Sequence, residues 1–523
     1  MEHLAGKVIL LSGWRRALLA FAAGGFCALG QPPYDFPAAC FIAFPILVWL
    51  LDGAATVPGH SILRRLALPF LIGWLFGFGY FLAGLWWIGN ALLVEADLFA
   101  WALPLASLGL PALIAIFYGA AAAFARLIWS DGAGRIAMLA AAFGLSEWLR
   151  TFILTGFPWN AIGQPVMPVP SLMQSVGIVG MIGINTLAVF VFAAPALLAS
   201  TRGLRAGCGL AALIAALHIG YGYMRIAGAD APADKSIQVR LVQPSVNQGE
   251  KWDEEMRDHI FETYLDLSRT TEDSGPSLIV WPETAVPFIL SQQPEALVAL
   301  GELIGDRQDL LAGAVRIEGS GTDARFYNSV VAINSGGEIF DAVDKIRLVP
   351  FGEYLPLADL LSNFGMRRLV ESVSDFSPGG QRHPIILSDD IKVLPFICYE
   401  IIFPGIAGYS DADSDLILNI TNDAWFGDTP GPYQHFRQAQ IRAVEAGRPL
   451  IRSANNGISG AVDAYGRVID AYGIDAVGAL DVTVPLQRLQ PMVKHPDLLG
   501  AAIVAVFGVW GAASSLASRR RFD

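Results

Sequence analysis

Charge is scarce in this chain. Asp, Glu, Lys and Arg make up 16% of its 523 residues, against about 25% in ordinary soluble proteins. With 54% apolar residues and a mean hydropathy of +0.48, a wholly soluble chain is excluded, and so is a disordered one. Cysteine is scarce too, at four residues. No Cys/His cluster has zinc-ligand spacing, so no metal is expected. No Walker or dinucleotide glycine pattern sits between a strand and a helix, and no cofactor is expected. The 54 Gly and 31 Pro follow no period, and no repeat of solenoid length exists, which excludes fibrous, low-complexity and solenoid readings.

The charge that is present is unevenly placed. Residues 1–234 carry 11 Lys/Arg against 9 Asp/Glu, residues 235–495 carry 21 against 36, and the last 28 residues carry 3 against 2. The first part can sit in hydrocarbon, whereas the acidic middle belongs in water. That acidity argues against nucleic-acid binding, which needs Lys and Arg to displace counterions from phosphates.

Crossing a bilayer takes about 20 apolar residues. Such runs occur near Ala17–Leu29, Phe36–Leu51, Leu66–Ile88, Leu98–Ile128, Ile136–Leu154, Leu172–Leu198 and Cys208–Met224, with an eighth from Leu498 to Leu516. Basic residues collect on cytoplasmic sides, and here they fall in alternate gaps: Lys7, Arg15 and Arg16, then Arg64 and Arg65, Arg126 and Arg135, Arg202 and Arg205, and finally Arg519, Arg520 and Arg521. The intervening loops Gln31–Asp35 and Asn90–Asp97 have none. Both termini are therefore expected in the cytoplasm, with the acidic domain on the periplasmic side of a bacterial inner membrane. The basic-then-apolar N-terminus resembles a signal peptide but lacks a small-residue cleavage site, so it reads as a retained anchor. Phe157, Pro158 and Trp159 read as members of an interfacial aromatic belt.

The expected organisation is a membrane domain of seven helices over 1–234, an extramembrane domain over 235–495, and a last helix with a basic tail over 496–523. In the middle part, short β-branched runs alternate with helical stretches. Strands are expected at Ile237–Val242, Leu278–Trp281, Leu310–Val315, Ser329–Ile333, Lys392–Cys398, Leu416–Ile420, Leu450–Ser453 and Gly460–Asp463. Helices are expected at Asp253–Arg269, Pro294–Ile304 and Tyr433–Ala446. The pattern points to an α/β sandwich.

Cys27, Cys40 and Cys208 lie in the apolar runs, which leaves Cys398 as the one thiol of the acidic domain. In an oxidising compartment structural cysteines normally pair. A lone one is either a small buried hydrophobe or a reactive group. Its neighbours favour reactivity. Three segments read as strand-end turns bearing reactive side chains: Ile279-Val280-Trp281-Pro282-Glu283-Thr284-Ala285, Asp344-Lys345-Ile346-Arg347-Leu348-Val349-Pro350-Phe351-Gly352-Glu353, and Phe396-Ile397-Cys398-Tyr399-Glu400.

In the order and spacing of these segments the chain resembles the nitrilase (carbon–nitrogen hydrolase) superfamily. The resemblance implies a four-layer αββα sandwich with Glu283 as base, Lys345 as cation and Cys398 as nucleophile. A thiolate attacks and leaves well, but a thiol of ordinary pKa needs a base or a nearby cation. The membrane helices before and after this domain, with Gln243-Pro244-Ser245, Lys251-Trp252 and Thr421-Asn422-Asp423-Ala424-Trp425-Phe426-Gly427, make almost the whole chain similar to the bacterial apolipoprotein N-acyltransferases. This implies a phospholipid acyl donor, a Cys398 thioester, and the N-terminal amine of a diacylglyceryl-cysteine apolipoprotein as acceptor. Carried over from the same pattern, Glu353 would orient Lys345 or relay protons. Glu400 would hold the loop beside the nucleophile, and Tyr399 would supply an oxyanion N–H or pack the core. Trp252 would cover the acyl chain or anchor a loop. Trp425 and Phe426 would form an apolar lip or pack internally. His435 and His259 read as structural. A membrane-bound amidase with the same three residues is the alternative. A transporter or receptor is a remote one, since Glu147 and Arg150 alone make no charged relay across several spans.

Overall fold

The computed structural model describes every residue except 55–60, 95, 201, 230–232, 234, 252, 270–274, 357–375, 406–412 and 520–523. Trp252, Arg520 and Arg521 thus lie outside the described residues. The chain divides into two compact units, Met1–Asp230 with Thr429–Gln434 and Pro491–Asp523, and Ala231–Asp428 with His435–Gln490.

The first unit is helical: α1 (Glu2–Ile9), α2 (Gly13–Cys27), α3 (Ala38–Asp52), α4 (Ile62–Leu85), α5 (Leu110–Leu127), α6 (Ala133–Leu149), α7 (Val176–Ala193) and α8 (Leu204–Ala227), with a last helix over Pro496–Arg519. Among the described residues, five stretches are long and apolar enough to cross a membrane, namely Ile62–Leu93, Ala96–Leu127, Val176–Ala199, Leu204–Ala227 and Pro496–Ser518. The chain is a membrane protein. Helices α2, α3 and α6 span 15, 15 and 17 residues. Small residues let backbones meet where lipid offers no hydrophobic drive. A Cβ on Gly24 of α2 would lie 1.8 Å from the Phe76 carbonyl oxygen of α4, and one on Gly79 would lie 2.0 Å from that of Phe21.

Two expectations change here. The run expected to continue to Leu154 leaves the helix at Leu149. Buried Arg150 ends it, pairing with Glu147 at 2.7 Å and donating to the carbonyls of Phe157 and Trp159 at 2.7 and 2.8 Å. Tyr118 Oη donates to the same Glu147 carboxylate at 2.6 Å. The two charges thus close on each other and brace a loop. Trp159 is not a lipid-facing belt residue: it is 2% exposed and packs 5.1 Å from the ring of Trp87, inside the protein.

The second unit holds two six-stranded sheets, ordered β12-β1-β2-β3-β4-β5 and β11-β10-β9-β8-β7-β6. The strands of the first sheet are β1 (Ser236–Gln243), β2 (Leu278–Val280), β3 (Asp309–Glu318), β4 (Arg325–Ile333), β5 (Ile339–Asp344) and β12 (Gly478–Pro485). Those of the second are β6 (Ile385–Ile386), β7 (Lys392–Ile397), β8 (Leu416–Thr421), β9 (Leu450–Ala454), β10 (Ser459–Val462) and β11 (Val468–Tyr472). In each sheet three neighbouring strands run parallel, β1-β2-β3 and β7-β8-β9, with antiparallel partners outside them. Alternation along β1 sends Ile237, Val239 and Leu241 into a core shared with Val393, Leu416, Leu418 and Ile451 of the other sheet. On the first sheet's opposite face, Ile260, Tyr264 and Leu265 of α9 (Arg257–Ser268) and Leu300 of α10 (Pro294–Leu303) pack on Ile279, Trp281 and Leu310. On the second sheet's outer side, His435 of α11 (Pro430–Ala446) bonds Asp423 at 2.9 Å, and Gln440 donates to the Gly466 carbonyl at 3.1 Å. The architecture is an αββα sandwich.

Candidate active site

The site is supplied by the ends of the parallel strands β2, β7 and β8 together with the end of the antiparallel strand β5. After β2 the chain turns through Trp281–Ala285. This turn closes against β3 because position 313 is glycine: a Cβ there would lie 2.3 Å from the Pro282 oxygen and 2.6 Å from the Thr284 nitrogen. Trp281 and Ala285 donate to the carbonyls of Leu311 and Gly313 at 2.9 and 2.7 Å. Glu283 is thereby turned inward and is 6% exposed.

Lys345 follows β5, its N–H donating to the Asn328 carbonyl at 2.8 Å. Its Nζ donates to Glu283 Oε1 at 3.1 Å and to Glu353 Oε1 at 2.8 Å. Asn328 Nδ2 bridges the same two carboxylates at 2.8 and 2.9 Å. Glu283 Oε2 accepts from the Asn422 N–H at 3.0 Å, and Glu353 Oε2 from the Val349 N–H at 2.8 Å.

Cys398 sits at the end of β7, where a strand-ending residue was expected. It instead opens a 3-10 turn over Cys398–Ile402 with φ of 50°. A non-glycine residue in this region stores strain of order 1–3 kcal/mol, held by its surroundings. Glu400 does much of the holding. Its Oε2 accepts from the Ile397 N–H at 2.9 Å, and its Oε1 from the N–H groups of Ile346 and Arg347 at 2.9 and 3.1 Å. Arg382 pairs with the same carboxylate at 2.5 Å. One buried acid therefore ties the Lys345 loop to the Cys398 turn. Behind the turn, His435 Nε2 lies 3.2 Å from the Cys398 carbonyl, and Asp423 pairs with Arg452 at 2.7 Å.

Burial pushes the Cys398 thiol well above its ordinary range, and the Glu283 charge adds to this; the nearby Lys345 ammonium and a hydrogen bond with Thr421 oppose it without prevailing. Burial would also raise Glu283, but the Lys345 charge, hydrogen bonds from Asn328 and Lys345, and Lys251 hold it below the usual carboxylate range. For Lys345, burial works against the charge, and Glu283 and Glu353 outweigh it, so the ammonium persists far into alkali. The resting site is thus a neutral thiol beside a carboxylate and a permanent cation. Such a set can take a proton from sulfur as sulfur attacks, and can stabilise the resulting oxyanion.

The other residues singled out from sequence are less convergent. Tyr399 is buried, its ring edge-on to Phe403 at 5.2 Å. Trp425 and Phe426 are half-buried after β8, with Phe426 6.2 Å from the His435 ring. His259 is exposed on α9. Sequence reasoning missed Asn328, the Asn422 N–H and Arg382, and it cited Lys251 only as part of a matching segment. Asn328 carried a signal, being a buried amide beside the apolar run Val330–Ile333 of its strand. Arg382 carried none.

The sandwich is that of a carbon–nitrogen hydrolase domain, and the family model described as Carbon-nitrogen hydrolase matches residues 238–494. A second model, Apolipoprotein N-acyltransferase N-terminal domain, matches residues 23–194. The apolipoprotein N-acyltransferase of Brucella melitensis biotype 1 is 52% identical over 531 residues, covering 100% of both chains. That of Rhizobium leguminosarum bv. trifolii is 54% identical over 506 residues, covering 95% of each. A crystal structure of a carbon–nitrogen hydrolase from Helicobacter pylori G27 aligns with 50% of this chain and 91% of that one, at 15% identity and a TM-score of 0.36. The chain belongs to the apolipoprotein N-acyltransferase family.

Proposed function

We propose that this chain moves an acyl group from a membrane phospholipid to the N-terminal amine of diacylglyceryl-cysteine apolipoproteins, through a thioester on Cys398. The observation that carries the reading is the buried Lys345 ammonium, 3.1 Å from the Glu283 carboxylate and acting on the Cys398 sulfur, in a chain half identical to named N-acyltransferases over its whole length.

In the first half-reaction Cys398 Sγ attacks the donor ester carbonyl while its proton passes to Glu283. Lys345, with the Tyr399 backbone N–H, stabilises the oxyanion. The ester C–O bond breaks, the proton goes from Glu283 to the leaving oxygen, and a lysophospholipid departs. In the second, the acceptor amine attacks the thioester, giving its proton to Glu283; the C–S bond breaks, an amide forms, and sulfur regains the proton. Because the resting thiol is neutral, its proton leaves together with attack rather than before it. Glu353 fixes Lys345, and Glu400 fixes the turn.

Residues 235–495 form the periplasmic catalytic domain in this reading. Residues 1–234 and 496–523 form the inner-membrane part, with both termini cytoplasmic. Both substrates carry hydrocarbon tails, and exposing them to water costs about 0.8 kcal/mol per CH₂. A site tied to the bilayer avoids that cost. The test is mass spectrometry of lipoprotein N-termini after depletion of the enzyme. Diacyl forms with a free α-amine are expected to accumulate; unchanged triacyl N-termini would point to an amidase instead.

A further inference from the structure

Lys251 is a lysine in an unusual place. It is 2% exposed, whereas lysine is almost never fully buried unless its charge is used. Its Nζ donates to the main-chain carbonyl of Glu283 at 3.1 Å. It therefore grips the turn that carries the proposed base, from a side different from Lys345, which binds the carboxylate itself. The titratable groups acting on it are the Glu283 carboxylate, from the end of β2, and the Cys398 thiol, from the end of β7. On its own segment Glu250 and Asp253 are exposed.

Charge balance gives this position a purpose. Lys345 is shared between Glu283 and Glu353. Two carboxylates facing one ammonium leave one negative charge in a buried site, and an unbalanced buried charge is expensive. Moving the thiol proton to Glu283 does not alter that sum. It shifts a negative charge from the carboxylate to sulfur, and then to the substrate oxygen. A second ammonium, bonded to the Glu283 main chain at 3.1 Å, offsets that charge throughout.

Resting on the acyl-transfer reading above, we propose that Lys251 is a positioning residue of this site, a second ammonium that fixes the Glu283 main chain and balances the negative charge passing from Glu283 to Cys398 and the oxyanion. Burial lowers its pKa to about 8, with Glu283 and Cys398 partly opposing the fall. The sign of the pH effect follows. The ammonium is present below pH about 8 and is lost as pH rises through it, so acylation should fall on the alkaline side. Stability should move the other way. Between the folded pKa of about 8 and the ordinary value of about 10.4, the unfolded chain binds more protons, so the fold gains stability as pH rises.

The experiment measures the Cys398 acyl adduct by intact-protein mass spectrometry from pH 6 to 10. It uses the full-length enzyme with vesicles of dioleoyl phosphatidylethanolamine and phosphatidylglycerol. Wild type is expected to show an alkaline limb near pH 8. Lys251→Met is expected to acylate at least 10-fold more slowly at pH 7, with the limb gone and an unchanged KM for lipid. A variant that acylates at the wild-type rate with the same limb overturns the inference. So does one that only melts earlier while keeping its rate. Should Lys251→Met fail to fold, the wild-type profile decides, and a flat rate through pH 8 overturns the inference. Absence of any adduct in wild type refutes the acyl-transfer reading itself, a result separate from these.

Discussion

Lys345→Met is expected to lower acylation of Cys398 by about 10²–10³-fold, the scale seen when a preorganised oxyanion donor is removed from a buried site. A second effect comes through Glu283. That carboxyl is held ionised by the Lys345 charge against its burial, so without the ammonium it takes up a proton at higher pH and stops acting as a base. Residual activity should therefore have its acid limb displaced toward alkali. Glu353 loses the same partner, and stability falls as well, since breaking a buried pair costs about 3–5 kcal/mol. The check is the pH dependence of adduct formation, alongside thermal unfolding. A variant with a near-normal rate, or with an unmoved acid limb, would contradict the role given to Lys345.

Glu283→Gln is expected to lower acylation by about 10²–10⁴-fold, the usual contribution of a positioned base. The amide keeps the shape and an oxygen for the Asn422 N–H but cannot take the thiol proton. A second readout separates this from simple damage to the site. The Glu283 charge helps to push the Cys398 thiol upward, so removing it should make the thiol more acidic. Alkylation of Cys398 by a small haloacetamide should then rise at lower pH in the variant than in wild type, while acyl transfer collapses. Parallel losses of alkylation and acylation would instead mean that the turn had been disrupted.

Particular residues explain how much of this was legible in the sequence. Strands β2, β7 and β8 are short apolar runs closed by Pro282, Cys398 and Asn422, so both the strands and the groups leaving their ends could be read directly. The apolar runs of the first unit were equally plain, apart from the end of α6. There Arg150 turns inward to cap a loop, an arrangement that depends on Phe157 and Trp159 rather than on local hydropathy. Strands β5, β11 and β12 were not read from the sequence; Val468, Ile469 and Asp470 of β11 are all exposed. β6 has two residues and no pattern to detect.

Within the site, the acid, ammonium and thiol announced themselves by chemical type and by position after a strand. The groups that hold them did not. Asn328 matters because it reaches two carboxylates at once, and Arg382 because it meets Glu400 from a segment distant in sequence. Lys251 matters because folding strips it of water beside Glu283. Each is defined by a juxtaposition that folding makes, which spacing along the chain does not encode. The positive φ of Cys398 is likewise a property of the closed turn, fixed by Glu400.

The account stands on a covalent acyl carrier at one sulfur. The direct measurement is intact-protein and peptide mass spectrometry of the full-length enzyme after incubation with a phospholipid of defined acyl chains and no acceptor. The expected result is a single hydroxylamine-labile adduct with the mass of one donor acyl group, mapped to Cys398, absent from Cys398→Ala and discharged on adding a diacylglyceryl-cysteine peptide. An adduct on any other residue, or turnover to N-acylated peptide by Cys398→Ala, would contradict it.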